Sequence, residues 1–293
     1  MSAERLPSPL ELLRRRGLRP SKKLGQHFLV NPGVLSRILE AAELSPADAV
    51  LEIGAGLGVL SLALAPRVGR LVAVEFDRGV AALLRETLSS YRNAEVVEGD
   101  ILEMDVPALM GYGKDVHGRG EYKVVANLPY YITSPIMRRL LEARVWPRLL
   151  VLMVQKEVAQ RIVAGPGNMS LLAVSVQFYG RPSIAGYVSP GSFSPPPKVE
   201  SAILKIETYA KPAGGVVDTE GFFKVVQAGF GQRRKQLRNA LAAGLTVSSD
   251  QAAEILRKAG IDERRRAEEL SIDEWVRLAR AAALTDREAA AGT

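Results

Sequence analysis

Short apolar runs alternate along the chain with stretches whose apolar positions recur at helical spacing. Residues 49–53 (AVLEI), 71–75 (LVAVE), 95–98, 122–126 (YKVVA) and 149–154 are β-rich runs. Residues 57–65, 80–88, 134–143 and 157–163 have the period of amphipathic helices. Pro66 stops the first of these helices, and Ser134 and Pro135 offer an N-cap and a first-turn proline for the third. Strands alternating with helices of this length predict crossover units. The expected fold is therefore α/β, a parallel sheet with helices on both faces.

Past residue 170 the pattern changes. A helix to about residue 179 is followed by two strands, 184–189 and 202–207, with a proline-rich elbow at 194–198 between them. Residues 210–215 read as a linker, and from Glu220 onward the pattern is helical throughout, with Gly244 and Gly260 as stops. Two domains are expected, 1–209 and a small all-helical 210–293, with a basic tail over about residues 1–29. Residues 111–120 (GYGKDVHGRG) hold four glycines and no period, which predicts a mobile surface loop with His117 solvated in it.

Composition removes whole classes of chemistry. There is no cysteine, so disulfides, thiolate nucleophiles and thiolate metal centres are out. The two histidines, His27 and His117, are too few for a multi-histidine metal site, so no metal is expected. No apolar run reaches the roughly 18 residues of a membrane span, and Glu4 and Glu11 interrupt a start that has no apolar signal core. A cytoplasmic protein is the expectation.

The net charge of +7 hints at a polyanionic partner. Its distribution says more than its total. Residues 1–29 carry seven Lys/Arg against two Asp/Glu, and residues 221–293 carry thirteen against ten, so the middle is nearly neutral. Either basic end alone reads as a solvated tail. In the tract 230–238 (FGQRRKQLR), however, Arg233, Arg234, Lys235 and Arg238 are interleaved with glutamines able to donate to phosphates or bases.

The first strand delivers Glu52-Ile53-Gly54-Ala55-Gly56-Leu57-Gly58. Glycines there permit a tight turn and close approach of a ligand to the backbone, and the next helix presents its N-terminal amides. The dinucleotide fingerprint requires glycine where Val59 stands, so a nicotinamide enzyme matches poorly. Glu75 ends the second strand at the crevice edge, where a carboxylate can accept both hydroxyls of a ribose. Asp100 ends the third, where it either accepts from an exocyclic amine such as that of adenine or caps a helix.

The fourth strand ends in Asn127-Leu128-Pro129-Tyr130. Proline holds the preceding residue extended, asparagine supplies an amide acceptor, and tyrosine a stacking face. The set suits gripping an exocyclic amino group on an aromatic base. Acceptors on the amine hydrogens draw its nitrogen toward tetrahedral geometry and free the lone pair. With a sulfonium methyl as electrophile, no strong general base is needed.

In order, residues 51–58 (LEIGAGLG), 72–77 (VAVEFD), 99–102 (GDIL) and this tetrapeptide resemble the S-adenosylmethionine-dependent adenine-N6 methyltransferases. Residues 23–28 (KLGQHF), 155–165 (QKEVAQRIVAG), 193–201 (FSPPPKVES), 232–241 (QRRKQLRNAL) and 266–278 (RAEELSIDEWVRL) extend the resemblance to the small-subunit ribosomal RNA adenine dimethyltransferases (KsgA/RsmA).

The resemblance implies a Rossmann-like class I methyltransferase sheet with a small helical C-terminal RNA-binding domain. It implies S-adenosylmethionine as cofactor and 16S rRNA within the small ribosomal subunit as partner, with the protein monomeric. His27 and Leu29 would close over the cofactor and Gly54 and Gly56 abut it. Glu75 with Phe76 would hold its ribose, Asp100 with Ile101 its adenine, and Asn127 both its methionine end and the target amine. Leu128, Pro129 and Tyr130 would complete the catalytic set. A flipped base must be unstacked before it reacts, and Phe193 would sandwich it against Tyr130, although local sequence places Phe193 equally well in the core. Lys22, Lys23, Arg233, Arg234, Lys235 and Arg238 would hold RNA phosphates. The competing readings are an Erm-type 23S rRNA methyltransferase, a non-catalytic RNA-binding assembly factor and, more distantly, a nicotinamide oxidoreductase.

Overall fold

The computed structural model describes residues 25–232 and 234–291. Lys22, Lys23, Arg233 and most of the basic tail lie outside the described residues. Chain compactness gives two units, one of Met1–Ala159 with Ser183–Thr208 and one of Gln160–Pro182 with Tyr209–Thr293. The single cut expected at 209/210 therefore misses the segment 160–182, which groups with the C-terminal helices.

The first unit is built on a seven-stranded sheet. Its strands are β2 (Ala49–Ile53), β3 (Arg70–Glu75), β4 (Ala94–Glu98), β6 (Lys123–Asn127), β8 (Leu149–Gln155), β9 (Gly180–Val188) and β11 (Ser201–Thr208), in the order β4-β3-β2-β6-β8-β11-β9. The first five in that order are parallel. β11 runs antiparallel to β8, with Ser201 opposite Gln155, so the sheet is mixed and not wholly parallel. The chain returns from β9 to β11 through the proline elbow with no crossover helix, and a direct return can only reverse direction. Three short strands stand apart: β1 (Phe28–Leu29) pairs with β10 (Phe193–Ser194), and β5 (Gly118–Arg119) with β7 (Val145–Trp146).

Helices cover both faces. α1 (Pro32–Ala42) went unseen in the periodicity, though its buried Val34, Ile38 and Ala42 recur every four residues. Asn31 caps it by accepting from the N–H of Gly33 and Val34. With α2 (Val59–Leu64) it packs Ile38, Leu60 and Leu64 against Val50, Val125 and Val151. α3 (Arg78–Thr87) adds Leu84 against Ala73, capped by Asp77. α4 (Val106–Leu109) is one turn, and α5 (Thr133–Leu141) buries Ile136, Met137 and Leu140. The expected Ser134 cap is absent, because α5 begins one residue earlier, directly after a 3-10 turn over Tyr130–Ile132, with no side-chain cap. The loop 111–120 is better tied than its glycines suggested. Arg144 donates to the carbonyls of Tyr112, Gly113 and Val116, and β5 pairs with β7 at its end.

At the starts of the strands sits a buried ionic knot. Lys123 Nζ, 3% exposed as a residue, donates to Ala42 O (2.9 Å), to Glu43 O and to Asp48 Oδ2 (2.9 Å). Arg148 reaches the other oxygen of Asp48 at 2.5 Å. Burial pushes the Asp48 carboxyl up, but Lys123, the Ser45 N–H and Arg148 together hold it below its ordinary value. Removing one partner of such a pair strands the other charge in a dry site. Lys123→Met is expected to lose about 3–5 kcal/mol in denaturant unfolding. A loss below about 1 kcal/mol would show that the knot is no more than a surface pair.

In the second unit α6 (Lys156–Ile162) ends and α7 (Leu171–Gln177) lies ahead of α8 (Thr219–Phe230), α9 (Leu237–Leu245), α10 (Ser249–Ala259) and α11 (Ile272–Ala291). Phe178 and Phe222 stack with ring centroids 4.0 Å apart, which explains why 160–182 belongs here. Gly260 does cap α10. Gly244 stops nothing: it lies inside α9, where a Cβ would stand 2.5 Å from Ala228 Cα, so it is the close-packing point between α9 and α8. Thr246, left-handed at φ 58°, ends α9 instead.

Candidate functional site

The C-terminal ends of β4, β3, β2 and β6 stand side by side, and a cavity of about 300 Å³ opens above them. That is the crevice where open parallel sheets take ligands, at the small end of ligand-pocket volumes. Gly54, Glu75, Asp100, Asn127, Tyr130 and His27 all line it. So do the expected neighbours Leu29, Gly56, Phe76, Ile101, Leu128 and Pro129.

The glycine turn is shaped by what surrounds it. Gly56 sits at φ 58°, and a Cβ there would come within 3.1 Å of the Phe28 ring, so only glycine fits without a shift. Its N–H donates to Glu75 Oε2 at 2.8 Å, while the Asp77 N–H donates to Oε1 at 2.9 Å. Burial pushes the Glu75 carboxyl up, and the two backbone donors partly offset that. Each oxygen keeps a lone pair for a further hydroxyl. Phe76 beside it is 57% exposed, an open ring at the rim. Asp100 Oδ1 accepts from the Leu102 N–H at 2.9 Å. Both local readings of Asp100 thus hold at once: it closes a turn and also lines the cavity.

Asn127 is the last residue of β6. Its Nδ2 donates to the His27 carbonyl at 3.0 Å, which fixes the amide and leaves Oδ1 with no partner among the described residues. Leu128 is buried beneath it, and Pro129 is extended at φ −57°, ψ 129°. Gly54 lies close enough that a Cβ would touch Pro129 Cδ at 3.5 Å, so the glycine turn and the tetrapeptide pack directly. The Tyr130 hydroxyl hydrogen-bonds Ser201 Oγ at 2.6 Å, and burial pushes its phenol up.

Phe193 is not where the stacking role needs it. It is 4% exposed, pairs with Leu29 across β10 and β1, packs with Ile38, Val151 and Met153, and does not line the cavity. Once β10 joins β1, its alternation turns Phe193 inward. The ring that stands near Tyr130 is His27.

Glu52 was passed over by the sequence reading and is the most perturbed carboxyl of the cavity. It is 1% exposed, lines the cavity, and its Oε2 has no hydrogen-bond partner. Burial, with Glu75 nearby, pushes it up to about 8. A lone carboxylate inside an otherwise apolar strand was the available signal, since such a group is rarely buried without a task.

Of the expected RNA contacts, Arg234 and Lys235 are exposed. The Arg238 guanidinium is engaged by Ser249 Oγ (2.7 Å), Asp250 (3.3 Å) and Glu263 (3.3 Å), so it joins α9 to its neighbours. Among the described residues no group of acidic or histidine side chains could hold a metal ion, and no helix is long and apolar enough to cross a membrane.

Comparison with known proteins agrees with this site. The family model described as ribosomal RNA adenine dimethylase matches residues 17–284. A ribosomal RNA small subunit methyltransferase A of Dehalococcoides mccartyi is 48% identical over 88% of this chain and 87% of its own. A solved dimethyladenosine transferase from Plasmodium falciparum superposes with a TM-score of 0.75 at 25% identity, over 89% of this chain and 98% of that one. The 23S rRNA methyltransferase ErmE superposes at 0.66 with 28% identity, over 87% and 98%.

Proposed function

Because this chain belongs to the ribosomal RNA adenine dimethylase family, we propose that it transfers methyl groups from S-adenosylmethionine to N6 of two adjacent adenosines near the 3′ end of 16S rRNA. It does so in the cytoplasm, as a monomer, on the small ribosomal subunit late in assembly. The observation that carries this reading is Asn127, whose unengaged Oδ1 stands at the end of β6 in the same cavity as Glu75 and Asp100.

The residues present fit the cofactor. The cradle at Gly56 admits no side chain, Glu75 keeps acceptor capacity for ribose hydroxyls, and the unpartnered Glu52 oxygen suits a cationic ligand. Phe76 and Ile101 flank the place where an adenine would lie, with Asp100 accepting from its amine. When bound, S-adenosylmethionine supplies an electrophilic methyl on a sulfonium.

The chain's own groups then do the positioning. Asn127 Oδ1 and a neighbouring backbone carbonyl accept from the target amine and turn its lone pair toward the methyl. Tyr130, held by Ser201, stacks on the base. The amine proton leaves to solvent after transfer, so no internal base is required. Exposed Arg234 and Lys235 hold the RNA backbone, with Lys22, Lys23 and Arg233 as further phosphate partners.

The ErmE likeness keeps a 23S target in view, but the curated relatives act on the small subunit by name. The test is methylation of unmethylated ribosomal subunits with labelled cofactor, followed by mapping of the modified nucleotides by mass spectrometry. Two methyl groups on each of two neighbouring adenosines of 16S rRNA are expected. Label confined to 23S rRNA, or to neither, would overturn the assignment.

A further inference from the structure

Two aromatic rings meet at the cavity wall with a spacing that is neither contact nor chance separation. The His27 and Tyr130 rings are inclined by only 24°, with centroids 6.1 Å apart. Rings in direct face contact in this protein, Phe178 and Phe222, are 4.0 Å apart. A base stacked on both sides needs about 7 Å, twice the ~3.4 Å rise of a stacked strand. The observed gap falls short of that by roughly an ångström, within reach of small side-chain rotation.

Both rings are tied at their polar edges. The Tyr130 hydroxyl sits on Ser201 Oγ at 2.6 Å, and the His27 Nδ1–H donates to Pro195 O at 2.7 Å. That donation leaves Nε2 as an acceptor on a neutral ring. The His27 carbonyl also receives Asn127 Nδ2, so one residue carries both a ring and the anchor of the amide that meets the target amine. Phe193, packed into the core below, cannot provide the second face.

We infer that the His27 imidazole is the second wall of the target-base slot. The flipped adenine enters between His27 and Tyr130 with its amine at Asn127, and Phe193 supports the slot from beneath by pairing with Leu29. This rests on the reading above that the substrate is an rRNA adenine. The imidazole is then a substrate contact that selects a flat base, in place of a contact to the cofactor.

The test uses the full chain with His27→Ala and His27→Phe. Stacking of one base on an aromatic side chain contributes about 1–3 kcal/mol, so His27→Ala should raise KM for unmethylated subunits about tenfold. Its cofactor Kd should stay unchanged by calorimetry, and His27→Phe should restore KM. Small subunits reconstituted with 2-aminopurine at the target should show quenched fluorescence when bound by wild type, and brighter fluorescence with His27→Ala. Unchanged KM and fluorescence in His27→Ala would overturn the inference. So would weakened cofactor binding with KM intact, which would return the ring to the cofactor. If wild type neither methylates subunits nor changes the 2-aminopurine signal, the adenine reading itself has failed.

Discussion

Asn127→Ala is expected to lower turnover by about 10²–10³-fold, the range seen when one preorganised polar contact to a reacting group is removed. The side chain is half-buried at a strand end, and its Nδ2 donates to only one carbonyl, that of His27. Loss of that bond removes about 1 kcal/mol of stability, so the variant should remain folded. The measurement is methyl incorporation at saturating cofactor and subunit, with unfolding followed in parallel. Undiminished turnover in a folded Asn127→Ala protein would remove the amide acceptor from the mechanism.

Glu52→Gln is expected to change stability and ligand binding in opposite directions. Burial, with Glu75 adding to it, pushes the Glu52 carboxyl up to about 8. An acid raised on folding supports the folded state fully below its unfolded value of about 4.5. That support is lost as pH rises toward 8, since the unfolded chain ionises first. At pH 7 the penalty on the folded state is on the order of 3 kcal/mol. Glutamine never ionises, so the stability gap between variant and wild type should be small near pH 5 and several kcal/mol in favour of the variant near pH 8. Denaturant unfolding at the two pH values reads this directly, and a gap independent of pH would show that Glu52 does not titrate in this range.

The same group predicts linkage in binding. A cationic ligand in the cavity favours the ionised Glu52, so wild-type affinity for S-adenosylmethionine should rise as pH climbs through 8, with a proton released on binding. Calorimetry in buffers of different ionisation enthalpy measures that proton. Glu75, also raised by burial, contributes to both proteins, so the difference between them isolates Glu52. A similar proton release in Glu52→Gln would move the effect to Glu75.

Much of the site was legible because its parts are strand ends. Glu75, Asp100 and Asn127 each follow an apolar run, and a parallel sheet brings such ends to one edge whatever the loops do. The adjacency of β4, β3, β2 and β6 then joins them in one cavity. The helix α1 was missed since its apolar stripe is short and lies before the first strand, and the antiparallel β11 since a buried strand reads alike in either direction. Gly244 was misread as a stop because a glycine inside a helix and one beyond its end look the same without the neighbouring helix to demand the contact.

Sequence alone therefore determined which segments form strands and helices, where the polar groups stand along them, and which chemistry those groups can perform. Neighbours within a few residues govern each of these. Tertiary structure alone decided that Phe193 faces the core, that Glu52 is buried beside Glu75, and that His27 stands against Tyr130. The bonds that settle the site join His27 to Pro195, Asn127 to His27 and Tyr130 to Ser201, across 168, 100 and 71 residues. Contacts at such separations are set by how the sheet closes, which leaves no periodic trace in the chain.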